Sequence, residues 1–228
     1  YGVISTGNYN SVNLGLRPAV WVFFSDNDVD KTVSEPTTDN IALGSTIIMG
    51  HYEQDNNASN GEEDIEWIVL SKRKDSILIT SKYILDCMEY DIDKNQTEWQ
   101  ECSLREWMNN DFLYGAFSEE ERSAILKTNL WNGRENSSDD YVFPLSIEEI
   151  AECLTFDKRI SQTTVYSASR GVEEDNEDNG IYWLRVNDKM NSTLNAIVDN
   201  TGRFYYKKSA NDKGVGVRPA LWIKVEKN

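Results

Sequence analysis

The amino-acid sequence predicts an α+β domain built on an antiparallel sheet with two or three helices inserted between strands, and three observations predict it. Two β-rich runs, DIEWIVL (64–70) and DSILITSKYIL (75–85), flank a short charged turn, SKRK. Three Ser-x-x-Glu boxes follow between residues 103 and 149. After Leu154 the chain becomes a series of short apolar runs separated by turn clusters rich in Asn, Asp and Gly.

The first two runs read as a hairpin, because β-branched and aromatic residues recur on either side of a turn too short for anything else. Ahead of them, IIMGHYEQD (47–55) reads as a strand running into a polar turn. The boxes Ser103 with Glu106, Ser118 with Glu121 and Ser146 with Glu149 mark helix starts: the hydroxyl accepts an early backbone N–H and the carboxylate reaches back to the cap. The first helix sets Leu104, Trp107, Met108 and Phe112 on one stripe, and the third sets Ile147, Ile150, Ala151 and Leu154 on another; both are core faces. Cys102 falls where a hydrophobic staple would meet Trp107, and Cys153 lies beside the third stripe, so both read as small buried hydrophobes. The later strands are TTVYSAS (163–169), IYWLRV (181–186), NAIVD (195–199), RFYYKK (203–208) and GVRPALWIKV (216–225).

Composition narrows the function classes. A chain of 228 residues buries roughly 70% of its unfolded surface, enough for a core without staples. Seven Trp, eleven Tyr and seven Phe argue for a packed globule. The net charge of -16 would repel a phosphate backbone, so nucleic acid is not an expected partner. Membrane insertion is not expected either, since no apolar run approaches the roughly 18 residues that cross a bilayer. Three cysteines, Cys87, Cys102 and Cys153, contain no CxxC pair; they fit neither a disulfide framework nor a four-thiolate zinc site, although a single disulfide stays open. His51 is the only histidine, which leaves any Ser-His-Asp triad or multi-histidine metal site resting on one residue. No cofactor is expected.

The closing run has a counterpart at the other end. GLRPAVWVFF (15–24) matches GVRPALWIKV (216–225), and Thr6-Gly7 aligns with Thr201-Gly202 ahead of it. The simplest account is a tandem array: residues 1–24 are the final hairpin and strand of a preceding copy, 25–39 a polar linker, and 40–228 a whole module. The tail is expected to add as a strand to an exposed edge of this module or of a neighbouring one. Repetition favours binding or spacing over catalysis, because avidity and reach gain from copies and turnover seldom does.

The strings SKYILDC (81–87), CSLREWMNNDF (102–112), AFSEEE (116–121) and GVRPALW (216–222), in that order, resemble the bacterial domain of unknown function 6273 family over about residues 48–225. Through WLRV and GVRP those domains are similar to the C-type lectin-like fold of the formylglycine-generating (sulfatase-modifying) group. The resemblance implies export to the cell surface or medium. Formylglycine chemistry would need two thiolates late in the domain, and residues 154–228 contain no cysteine. A paired-carboxylate hydrolase is the other enzymatic reading, but no spacing singles out an acid and a base.

The expected function is therefore non-catalytic binding of a glycan or protein ligand, with a pure spacer as the rival. Candidate ligand residues are Trp183, Arg185, Asn187 and Asp188 of YWLRVND, together with Tyr205 and Arg218. WLRVND is loosely similar to the calcium-binding Trp-Asn-Asp motif of true lectins, with two residues intervening. The favoured reading of Trp183 and Arg185 is nevertheless a buried pair inside the sheet, and that of Arg218 the partner of a helix carboxylate. The acidic loop 171–180 reads either as solvated or as a calcium loop, although its spacing departs from the twelve-residue pattern.

Overall fold

The computed structural model describes residues 41–93, 98–132, 137–187 and 194–225; the side chains of Val186 and Asn187 fall outside that description. Residues 1–40, with the tail, the linker and their expected docking, also lie outside the described residues.

The fold is α+β. Strands β1 (Thr46–Tyr52), β2 (Glu63–Lys72) and β3 (Ser76–Ser81) form an antiparallel meander. In β2, Ile65, Trp67 and Val69 are buried while Glu66 and Ile68 between them are half-buried, the period-two signature of a strand with one core face. All six residues of β3 are buried, so this strand is covered on both sides. The chain's last described strand, β12 (Ala220–Lys224), pairs with β3 and with the short β5 (Ile125–Leu126), giving the sheet order β1-β2-β3-β12-β5.

A second five-stranded sheet has the order β10-β9-β8-β11-β4. Its members are β4 (Asp86–Cys87), β8 (Tyr182–Asn187), β9 (Leu194–Val198), β10 (Phe204–Ser209) and β11 (Gly216–Val217). Its ladders are antiparallel except between β11 and β8. Strands β6 (Thr128–Trp131) and β7 (Ser137–Asp140) form a separate ribbon. The closing run expected as one strand is thus two: β11 belongs to one sheet, β12 to the other, and Arg218-Pro219 carries the chain across.

Helices fill the space between the strands. Helix α1 (Ser103–Trp107) runs through a π-helical turn at Met108–Phe112 into α2 (Leu113–Ala116), and α3 is Glu119–Ala124. Leu104, Met108 and Phe112 are buried as expected, with Trp107 partly buried against the same core. Asn109 of the π turn clamps the chain leaving β7: its Nδ2 donates to the carbonyls of Arg105 and Val142, and its Oδ1 accepts from the Tyr141 and Val142 amides. A tight approach explains Gly50 at the bulge of β1. Its φ is +72, and a Cβ there would lie 2.7 Å from the Ala116 carbonyl oxygen and the Phe117 ring.

Helices α4 (Ile147–Cys153), α5 (Phe156–Arg159) and α6 (Val165–Ser169) complete the layer. The capping boxes at Ser118 and Ser146 form in full. The one expected at Ser103 does not: Cys102 occupies the cap, its Sγ–H donating to Trp99 O, while the Ser103 hydroxyl accepts from the Ile92 amide. The third box belongs instead to Thr164 and Ser167, which bond reciprocally and wind α6 out of a stretch expected as strand. Ala151 is exposed, so the buried stripe of α4 narrows to Ile150 and Leu154, with Ile147 partly buried.

Candidate functional site

The six expected ligand residues do not share one face. Trp183 is 1% exposed, its indole N–H donating to Met88 O at 2.8 Å and its ring 5.4 Å from Tyr90. Arg185 is 2% exposed; one amino group bonds Glu149 of α4 at 2.9 Å, and the guanidinium lies 5.5 Å from the Phe143 ring. Arg218 is buried as well, but the helix carboxylate expected for it is held by Arg185. Arg218 donates instead to the carbonyls of Ser81 and Arg159 and to the Tyr182 hydroxyl, and it has no ion pair among the described residues. The physical reason is position: the sheet-to-sheet crossing turns Arg218 toward the Ser81 carbonyl at the end of β3 and the Arg159 carbonyl at the end of α5. Tyr205 stays at the surface on edge strand β10, its hydroxyl bonded to Asp199. Asn187 pairs through its backbone with Asn195; its side chain and all of Asp188 lie outside the described residues.

The structure gathers a different set. Asp86 on β4 is almost fully buried. Its Oδ2 accepts from the Tyr52 hydroxyl at 2.5 Å; its Oδ1 accepts the Cys87 amide at 2.7 Å and faces Arg170 Nε at 3.4 Å. Tyr52 closes β1, and its ring meets three others: Phe112 at 5.3 Å, Tyr166 at 6.0 Å and Trp107 at 6.5 Å. The Tyr166 amide donates to Gln54 O, which fastens the start of α6 to the chain leaving β1. Arg170, one turn further on, sits 5.9 Å from the Tyr166 ring with its side chain half-exposed. Tyr52, Trp107 and Tyr166 are each partly buried, so ring surface and one guanidinium open to solvent above a sunken carboxylate.

Burial dominates the electrostatics of this cluster. Burial, followed by the charge of Asp86, raises the Tyr52 phenol far above its ordinary range, and it remains a donor at neutral pH. Tyr166 is raised by the same two causes in the same order. Burial and then Asp86 push the Cys87 thiol up to about 11, and it donates to Lys213 O at 3.0 Å. Burial pushes Cys102 up to about 12 and raises Cys153. All three cysteines are free thiols, and none is primed as a thiolate.

Two acidic clusters bear on cations. The expected loop 171–180 scatters its carboxylates: Glu173 pairs with Lys208, Glu174 accepts from the Thr163 hydroxyl, and Asp175 caps the amides of Glu177 and Asn179. Glu53, Asp55 and Glu63, in the turn between β1 and β2, do converge, with one oxygen from each within 4.8 Å of the others. Glu63 Oε2 already accepts the Gln54 and Asp55 amides and Glu53 Oε1 the Asn57 amide, so these groups are engaged in shaping the turn.

No curated protein and no solved structure matches the chain. A family model does match, over residues 74–225, from the turn before β3 through the sheet crossing to the end of β12. The match takes in Asp86, Trp107, Tyr166 and Arg170 and leaves Tyr52 outside it. Over two thirds of its length, then, this chain carries the pattern of one family and belongs to it: Domain of unknown function (DUF6273).

Proposed function

We propose that the domain is a non-catalytic, C-type-lectin-like binding module of a multi-domain bacterial surface or secreted protein. Its ligand, a glycan or a protein segment, lies on the Tyr52, Trp107 and Tyr166 rings with Arg170 at their edge. The observation that carries this reading is the three-ring surface built around Tyr52 over a buried carboxylate. Tyr and Trp offer large rigid contact area at small entropic cost, and a half-exposed guanidinium adds directed hydrogen bonding. The protonated state of Tyr52 and of the three thiols supports binding over covalent chemistry.

The test is retention on glycan and peptide arrays by the full chain, with and without calcium, repeated with Trp107→Ala and Arg170→Ala. Each variant is expected to lose at least about tenfold in affinity, as removal of an anchoring contact does. An array that retains nothing, or retains wild type and both folded variants equally, overturns the reading and leaves the spacer role.

A further inference from the structure

We infer that the ligand of the Tyr52, Trp107 and Tyr166 surface is an acidic sugar, a pyranose whose carboxylate sits on the outer edge of the Arg170 guanidinium. The inference rests on the binding role proposed above and adds to it the chemistry of what is bound.

The polar groups left over at this surface are donors. Arg170 caps α6, its amide bonded to Tyr166 O, and Gly171 at φ +106 turns the chain away behind it, so the backbone under the guanidinium is fixed. Arg170 Nε faces Asp86 at 3.4 Å, longer than the roughly 2.7–2.9 Å of a charge-assisted bond, and neither amino group has a hydrogen-bond partner among the described residues. The Trp107 indole N–H and the Tyr166 hydroxyl have none there either. The acceptors, in contrast, are taken. Asp86 receives the Tyr52 hydroxyl on Oδ2 and the Cys87 amide on Oδ1, and Gln54 O receives the Tyr166 amide. Glu53, whose charge reaches Tyr166 more weakly than those of Asp86 and Arg170, already gives Oε1 to the Asn57 amide.

A guest that satisfies this set brings acceptors and a negative charge, and the two amino groups of a guanidinium present their N–H bonds in the fork that fits a carboxylate. The net charge of -16 opposes any anion at a distance, but exposed charges more than about 8 Å apart are largely screened at physiological ionic strength, which leaves the contact groups to decide.

The rings separate an acidic sugar from an acidic peptide. Tyr166 and Trp107 stand edge-on to Tyr52, at interplanar angles of 79° and 83°, so the surface is a set of steep aromatic walls. A pyranose lays its C–H face on such a wall while its hydroxyls turn to water. An extended peptide would need main-chain partners, and Gln54 beside the rings has none to give: its amide is bonded to the Glu63 carboxylate and its carbonyl to Tyr166.

The experiment is isothermal titration calorimetry of the full chain with oligogalacturonate, with its methyl ester, which keeps the sugar and loses the charge, and with poly-glutamate. The acid is expected to bind at least about tenfold more tightly than the ester. Arg170→Gln should remove that preference, and Arg170→Lys, which keeps the charge without the fork, should retain only part of it. Trp107→Ala should weaken acid and ester alike, by at least about tenfold. Circular dichroism establishes that each variant is folded. Equal affinity for acid and ester, or a preference that survives Arg170→Gln, overturns the inference and leaves the binding surface standing. Tighter binding of poly-glutamate overturns it in favour of an acidic peptide. Where neither saccharide binds but the arrays retain another ligand, the inference falls alone; arrays that retain nothing remove the binding role with it.

Discussion

Two buried carboxylates, Asp140 and Asp86, separate what this domain uses for stability from what it offers at its surface. Asp140, fully buried on β7, accepts Arg105 Nε at 2.6 Å, the Trp99 indole at 2.8 Å and the Ser138 hydroxyl at 2.5 Å. Arg105 in turn donates to Gln100 O and Asp139 O. Charge, donors and packing are matched on every side. Asp86 has one close phenol, one backbone amide and a cation 3.4 Å away on a half-exposed side chain. The difference teaches that burial of an acid says little by itself: the node sealed by short bonds on each oxygen holds the ribbon to the helices, and the one with a loose, solvent-facing cation is where the proposed ligand would compete.

The largest effect expected from this contrast is at Asp140. Asp140→Ala strands a guanidinium and an indole N–H, and should cost about 3 kcal/mol in denaturant unfolding. Asp86→Ala should cost less, about 1–2 kcal/mol, since Arg170 can turn to water. An Asp86 variant as damaging as the Asp140 variant would erase the contrast. Next come the cations: Arg105→Ala should lower stability by about 2 kcal/mol and Arg170→Ala by less than about 1 kcal/mol, while only the second weakens ligand retention.

The smallest effect is read from the thiols. With its pKa raised from 9.0 to about 11, Cys87 holds about a hundredfold less thiolate than a free cysteine at neutral pH, and Cys102, near 12, holds less still. Both folded values lie above the unfolded one, so their contribution to stability is whole below pH 9 and disappears as pH rises through 11 to 12. Urea midpoints measured from pH 8 to 11 should therefore fall, and fall less in a Cys87→Ala, Cys102→Ala double variant. Asp86→Asn should speed labelling of Cys87 by iodoacetamide and leave Cys102 unchanged, because Asp86 acts only on the first.

Much of the scaffold was legible from local pattern. Alternation exposed β2, and reciprocal Ser-x-x-Glu boxes exposed α3 and α4, because both signals are complete within a few residues. Ser103 failed since a hydroxyl has only so many partners, and the distant Ile92 amide claimed it. Residues 163–169 failed because two hydroxyls, Thr164 and Ser167, close a box that outweighs the β-branched composition. Of the two readings open for Trp183 and Arg185 the structure shows the buried one, because the two residues look the same in a sequence whether their strand faces water or, as here, a helix carrying Glu149. Tyr52, Asp86, Trp107 and Tyr166 come from four separate segments, and no spacing along the chain announces their meeting.

The suture at Arg218-Pro219 also sets an order of events during synthesis. Thr80 waits for Pro219, 139 residues later, to supply the carbonyl its hydroxyl bonds. At roughly 5–20 residues per second, β3 stands without its neighbour for on the order of ten seconds while the rest of the domain is made. During that interval its apolar side chains are open to mispairing with any similar strand nearby. A polypeptide that repeats such domains would have to finish each before the next begins to compete for the same vacancy, which makes translation pace a determinant of correct assembly.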